Sequence, residues 1–136
     1  MALAVPNGGV LVDCELKGEA ALQAAEKARG LREVELGSCA VSDLLMMATG
    51  VLSPLCGFMD RLQYEAVVES MRLPSSELLG LPVTLPIRQN EAEGLRLGEE
   101  VALVSAGTAL GLMRSTCGFR NSGCGSSGCR SSVATA

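Results

Sequence analysis

The sequence predicts an α+β domain with a curved, partly antiparallel sheet. Short apolar stretches of strand length outnumber convincing amphipathic helices, and they lack the regular strand-helix alternation of a parallel sheet. The 136 residues are 48% hydrophobic but only 2% aromatic, so the core must be built from Leu, Val, Ala and Met. A chain of this length is one ordinary domain, without room for a second full one.

The elements follow in order. Gly8-Gly9 before Val10, Leu11 and Val12 reads as a turn leading into a short strand ended by Asp13. Glu19 to Arg29 is Ala-rich, with Ala21, Leu22, Ala25 and Ala28 at helical spacing and Gly30 in the C-terminal capping position, which predicts a small surface helix. Leu31 to Leu36 mixes apolar and charged residues and is compatible with extended chain or strand. Ser42 is placed to cap a helix over Asp43 to Thr49 that stops at Gly50; Leu44, Leu45, Met46, Met47 and Ala48 leave it almost no polar face, so it should be buried. In the connection Ser53 to Met59, Pro54 fixes one torsion and Gly57 gives freedom at another.

Asp60 can cap the next helix, where Tyr64, Val67, Val68 and Met71 recur at i, i+3, i+4 and i+7, before Pro74, Ser75 and Ser76 end it. Leu81 to Ile87 reads as a strand, limited by Pro82 and Pro86 to an edge or a few ladder bonds. Asn90 to Leu95 can form one helical turn, and Gly98 turns the chain. Val101 to Ser105 and Thr108 to Met113 then form a hairpin around Ala106-Gly107.

Composition breaks after Met113. Residues 1–113 hold 8 basic and 15 acidic side chains, net -7, whereas 114–136 hold three Arg and no acid. In those last 23 residues, 13 are Ser, Gly or Cys, too little apolar surface to offset the entropy of ordering them. The expectation is a domain over 1–113 and a Gly/Ser/Cys/Arg-rich, disordered tail over 114–136. Such a switch is also what an out-of-frame reading of GC-rich coding sequence yields.

With no His in the chain, there is no His general base, no Ser-His-Asp or Cys-His unit and no zinc site with a His ligand. Cys14, Cys39 and Cys56 read as isolated core or semi-buried thiols. Cys117, Cys124 and Cys129 offer three thiols with no fourth ligand to close a tetrahedral site. The carboxylate pairs Asp13 with Glu15, Glu33 with Glu35, and Glu99 with Glu100 read as solvated faces, and so does the polar run Arg88-Gln89-Asn90. No GxGxxG or GxxxxGK[ST] is present. An acidic domain without a basic stripe or aromatic interleaving argues against nucleic-acid binding. Met1 to Val5 meets Pro6, Gly8 and Gly9 at once and makes no secretory signal, and no apolar run reaches the roughly 18 to 20 residues of a membrane span. A cytoplasmic location follows as the expectation.

Several ordered blocks point to one family. They are PNGGVLVD at Pro6 to Asp13, SDLLMMATGVLSPLCGFMDRLQYEAVVESMRL at Ser42 to Leu73, LPVTLPI at Leu81 to Ile87, and LRLGEEVALVSAGTALGLM at Leu95 to Met113. Together they resemble the N-terminal part of ATP sulfurylase (sulfate adenylyltransferase). The matching positions include Asp43, Leu44 and Leu45, then Gly50, Ser53, Pro54, Leu55, Gly57, Phe58 and Met59, then Val67, Val68, Met71, Arg72 and Leu73, and Pro82, Val83, Thr84 and Leu85. Asn7 stands where the family usually has His, Val51-Leu52 where it has a small residue and an aromatic, and Leu79-Gly80 where Trp is common.

The resemblance implies a β-rich, PUA-like, partly open barrel with two or three short helices, non-catalytic and truncated before a nucleotidyltransferase domain. The family reaction joins sulfate to the α-phosphate of ATP, giving adenosine 5'-phosphosulfate and pyrophosphate in sulfate assimilation. Its Gln-x-Arg-Asn and His-x-x-His segments have no counterpart here: Gln23, Gln63 and Gln89 are not followed by x-Arg-Asn. No catalytic, cofactor-binding or metal-binding residue is therefore assigned. Mg-ATP and sulfate are implied for the full-length enzyme and not for this chain, which alone is expected to be inactive. The implied partner is the catalytic domain, within a homo-oligomer, with no nucleic acid and no membrane. The alternative is a stand-alone PUA-like module that binds RNA or a protein.

Overall fold

The computed structural model describes residues 3–115 and 129–132. Four strands form one open sheet in the order β1-β2-β3-β4: β1 (Arg32–Glu35), β2 (Glu100–Ser105), β3 (Thr108–Ser115) and β4 (Cys129–Ser132). β1 lies parallel to β2, and the other two pairings are antiparallel. Three helices of ten or eleven residues and one single turn accompany it: α1 (Glu19–Ala28), α2 (Ser38–Ala48), α3 (Arg61–Ser70) and α4 (Gln89–Ala92).

The β2–β3 hairpin closes where the sequence places it. Ala106 and Gly107 both take positive φ, 49° and 77°, the turn geometry whose twist matches that of the flanking strands. The register slips between Leu103 and Val104, which face Gly111 and Ala109, so Leu110 is the extra residue of a bulge. At the far end Gly98, with φ 82°, donates its N–H to Ser115 O at 2.7 Å, and Ser115 N–H donates to Glu99 O at 2.8 Å. Arg114 and Ser115, beyond the expected end of the domain, thus complete β3. Within the expected tail, 129–132 pair with β3 from Ser115↔Cys129 to Leu112↔Ser132, and 116–128 and 133–136 lie outside the described residues.

Two expected strands do not form. Val10 to Val12 has no ladder partner among the described residues: Val12 N–H donates instead to the Ser53 hydroxyl at 2.9 Å, and Val10 and Leu11 are exposed. Leu81 to Ile87 keeps the strand-like alternation of burial at Val83 and Leu85, yet among the described residues it joins no ladder, and Val83 bonds to Met59. Pro82 and Pro86 remove two of the N–H groups a ladder needs. The ambiguous Leu31 to Leu36 segment resolves as a strand, because Leu36 N–H continues the β1–β2 pairing to Val104 O at 2.8 Å.

Helix limits shift for local reasons. α2 begins at Ser38, behind an extended Gly37, and Ser42 lies inside it, its hydroxyl donating back to Ser38 O. Leu45 on this helix is 46% exposed, so its buried face is Ala40, Leu44, Met47 and Ala48 and not the whole helix. On α1 Leu22 points outward, while Ala24 and Ala28 are the buried residues. α3 has the capping box expected at Asp60: the carboxylate accepts Gln63 N–H at 2.8 Å and the Gln63 side chain accepts Asp60 N–H. It ends at Met71, which adopts left-handed backbone with φ 55°, before Pro74 is reached. Only Val67 of its apolar stripe is buried, with Tyr64 against the core; Val68 and Met71 are exposed.

Alternation along β2 separates two cores. Val101 and Leu103, with Val34 of β1 and Met113 of β3, face α2, the 53–59 turn, Leu73, Val83 and Leu85. Ala102 and Val104, with Leu112, face α1 through Ala24 and Ala28. Both faces of β2 are therefore covered, which explains its unbroken run of buried residues.

Candidate functional site

Two of the blocks that carry the family resemblance meet where the 6–14 segment crosses the turn between α2 and α3. Gly50 ends α2 with φ 78°, and a Cβ there would sit 2.7 Å from Leu11 Cδ1. The buried Ser53 hydroxyl donates to Gly50 O at 2.6 Å and accepts Val12 N–H at 2.9 Å, so one side chain ties the turn to itself and to the crossing segment. The Ser53-Pro54 peptide is cis. Leu55, Phe58 and Met59 then enter the core, and Met59 N–H donates to Val83 O at 2.8 Å. Asn7, at the position where His is usual, donates from Nδ2 to Leu78 O at 2.7 Å. Each of these motif residues holds backbone or fills the core.

The thiols divide differently from expectation. Cys14 is half-buried and packs against the main core, but Cys39 and Cys56 are exposed. Burial pushes the Cys14 thiol above its ordinary range, and the neighbouring Cys56 and Asp13 push it the same way. Cys14 and Cys56 lie on the two segments that the Val12–Ser53 hydrogen bond joins, 42 positions apart in the sequence, a placement with no signal in the spacing. Cys117 and Cys124 lie outside the described residues, and Cys129 pairs with Ser115 in the sheet.

The carboxylate pairs are not brought to a common point. Asp13 and Glu15 both hold Lys17, at 3.7 and 3.0 Å. Glu35 accepts the hairpin N–H of Ala106 at 3.0 Å. Glu99 accepts Arg96 N–H and faces Arg32, whereas Glu100 meets Lys27 at 2.5 Å and Arg114 at 2.8 Å. Lys27 first, and Arg114 second, hold the Glu100 carboxyl below its ordinary range. Asp43 on α2 is raised by burial. Arg88 is exposed, its N–H turned to Glu91; Gln23 bonds to Glu19 and Gln63 serves the α3 cap. Among the described residues, no group of three His, Cys, Asp or Glu is arranged to hold a metal ion, and no helix is long and apolar enough to cross a membrane.

A family model described as a PUA-like domain matches residues 4–122, a span that takes in α1 to α4 and β1 to β3 and runs past Met113. The chain is 49% identical over 105 residues to a sulfate adenylyltransferase of Symbiobacterium thermophilum, covering 77% of this chain and 27% of the relative. With the sulfate adenylyltransferase of Desulfovibrio desulfuricans it shares 42% identity over 113 residues, 82% of this chain and 27% of that one. The chain thus spans about a quarter of the length of these relatives. A solved structure titled hexameric APS kinase from Thiobacillus denitrificans superposes with a TM-score of 0.79 at 27% identity, over 96% of this chain and 26% of that one. With a match over most of its length, and with the described turn built from the matching residues, the chain belongs to the PUA-like domain family, and both of the curated relatives above are named sulfate adenylyltransferases.

Proposed function

We propose that the chain is the N-terminal, non-catalytic PUA-like domain of a cytoplasmic sulfate adenylyltransferase, the enzyme that joins sulfate to the α-phosphate of ATP and releases pyrophosphate. The observation that carries this reading is 49% identity to an enzyme of that name within only 27% of its length. The sequence is consistent with it: the His-x-x-His segment expected of the catalytic part needs histidine, and the chain has none. Mg-ATP and sulfate belong, on this reading, to the catalytic domain.

The domain's role is to support that partner and the packing of subunits. Val10, Leu11 and Val51 are exposed where the 6–14 segment crosses the turn, and apolar residues grouped on a surface suit a protein partner. A net charge of -7 over 1–113 disfavours RNA as the alternative partner.

A sulfate-dependent pyrophosphate-release assay with ATP and Mg tests the reading. The chain alone should give no turnover above background; turnover would overturn the non-catalytic assignment. Gel filtration with a catalytic fragment of a sulfate adenylyltransferase should give a joint peak, and separate elution would count against the support role.

A further inference from the structure

We propose that Cys14 and Cys56 form a dithiol that peroxide converts to a disulfide, stapling the 6–14 segment to the turn that follows α2. The two segments are already knitted together. A Cβ on Gly8 would lie 3.4 Å from Pro54 Cβ, Leu11 lies over Gly50, and Val12 N–H is bonded to Ser53 Oγ at 2.9 Å. Cys14 comes two residues after Val12, and Cys56 three after Ser53. Cys14 also packs against the apolar cluster that contains Leu55, the residue before Cys56. Burial first, and Cys56 second, raise the Cys14 thiol above its ordinary range.

Their unequal exposure divides the chemistry. Cys56 is exposed and meets the oxidant first; Cys14 is half-buried. The Cys56 thiolate attacks a peroxide oxygen, the O–O bond breaks, and hydroxide leaves with Cys56 as the sulfenic acid. The Cys14 sulfur then attacks the Cys56 sulfur, the S–O bond breaks, and the departing oxygen leaves as water with the Cys14 proton. Two thiols and one hydrogen peroxide give one disulfide and two waters. Cys39, exposed on the first turn of α2, has the same access to peroxide and is the internal comparison. The proposal does not rest on the enzyme family.

The test uses the full chain, reduced, exposed to one equivalent of hydrogen peroxide, blocked with N-ethylmaleimide and digested with trypsin. The expected product is a peptide joining Met1–Lys17 to Glu33–Arg61, sensitive to reductant, formed faster in buffer than in urea. Because Glu33–Arg61 also contains Cys39, the digest is repeated on two variants. The linked peptide should persist in Cys39→Ser and vanish in Cys56→Ser. Persistence in Cys56→Ser, alkylated Cys14 after oxidation, linkage of Cys14 to a cysteine beyond Met113, or equal rates in buffer and urea would each overturn the proposal.

Discussion

The sheet face under α2 is packed with large side chains, and the face under α1 with small ones. Phe58, Leu44, Met47, Met59, Leu85, Leu103 and Met113 fill the first. Ala24, Ala28 and Ala102 make up most of the buried residues of the second, with Val104 and Leu112, and the partly buried Leu16 and Leu31 pack at its edge. The thick face derives its stability from area and volume, and it also contains the turn where the family motif sits. On the thin face helix and sheet approach closely, less apolar area leaves water, and polar contacts at the rim carry a larger share.

Cavities should separate the faces most sharply. Phe58→Ala removes a ring that is 2% exposed and should cost about 3–5 kcal/mol, a large fraction of a domain's whole stability of order 5–15 kcal/mol. Leu112→Ala, at the 9% exposed edge of the thin face, should fall near the lower limit of about 2 kcal/mol for such truncations. Urea midpoints measure both, and equal losses would break the distinction.

Overpacking reverses the test. Ala102 is completely buried between β2 and α1, so Ala102→Leu must push the helix outward, at about 1–3 kcal/mol. Hydrogen exchange should accelerate over Glu19–Ala28 while α2 stays protected. Uniform acceleration across both helices would show that the two faces do not yield separately. Next in size is Gly50→Ala, on the thick face, expected to cost about 1–2 kcal/mol because an L-residue is forced to φ 78°. The added methyl also meets Leu11, so the 6–14 segment should become protease-sensitive before the core does. Limited proteolysis checks the order.

These two faces were unequally legible in the sequence. The hairpin was legible because Ala106-Gly107 interrupts two apolar runs, and the α3 start because Asp60 and Gln63 have capping spacing. The α2 start was not: Ser42 resembles a cap, and the chain instead enters the helix at Ser38 behind Gly37, where no side-chain cap forms. The 81–87 segment has a strand's alternation without its ladder, since periodicity reports burial and not pairing. On the thin face Leu22 and Ala24 exchanged roles, because close helix-sheet approach rewards the smaller side chain. The Cys14 and Cys56 juxtaposition depends on how two distant loops cross, which no local pattern encodes.

The smallest effect tests the rim of the thin face. Glu100 on β2 bridges Lys27 of α1 and Arg114 of β3, with its side chain 27% exposed, so solvent screens the network. Glu100→Gln should cost only a few tenths to about 1 kcal/mol at pH 7. The sign of its pH dependence is fixed by the direction of the carboxyl's shift, which is downward in the fold. A carboxyl with a depressed folded pKa stabilises above its unfolded value, about 4.3 for Glu, and loses that contribution as pH falls through the folded value. The difference in Tm between the parent and Glu100→Gln should therefore be full at pH 7 and shrink as pH drops below about 4. Asp43, raised by burial on the thick face, has the opposite sign: Asp43→Asn should gain relative stability as pH rises, so the two variants should diverge between pH 3 and pH 7 when melted side by side, at about these pH limits.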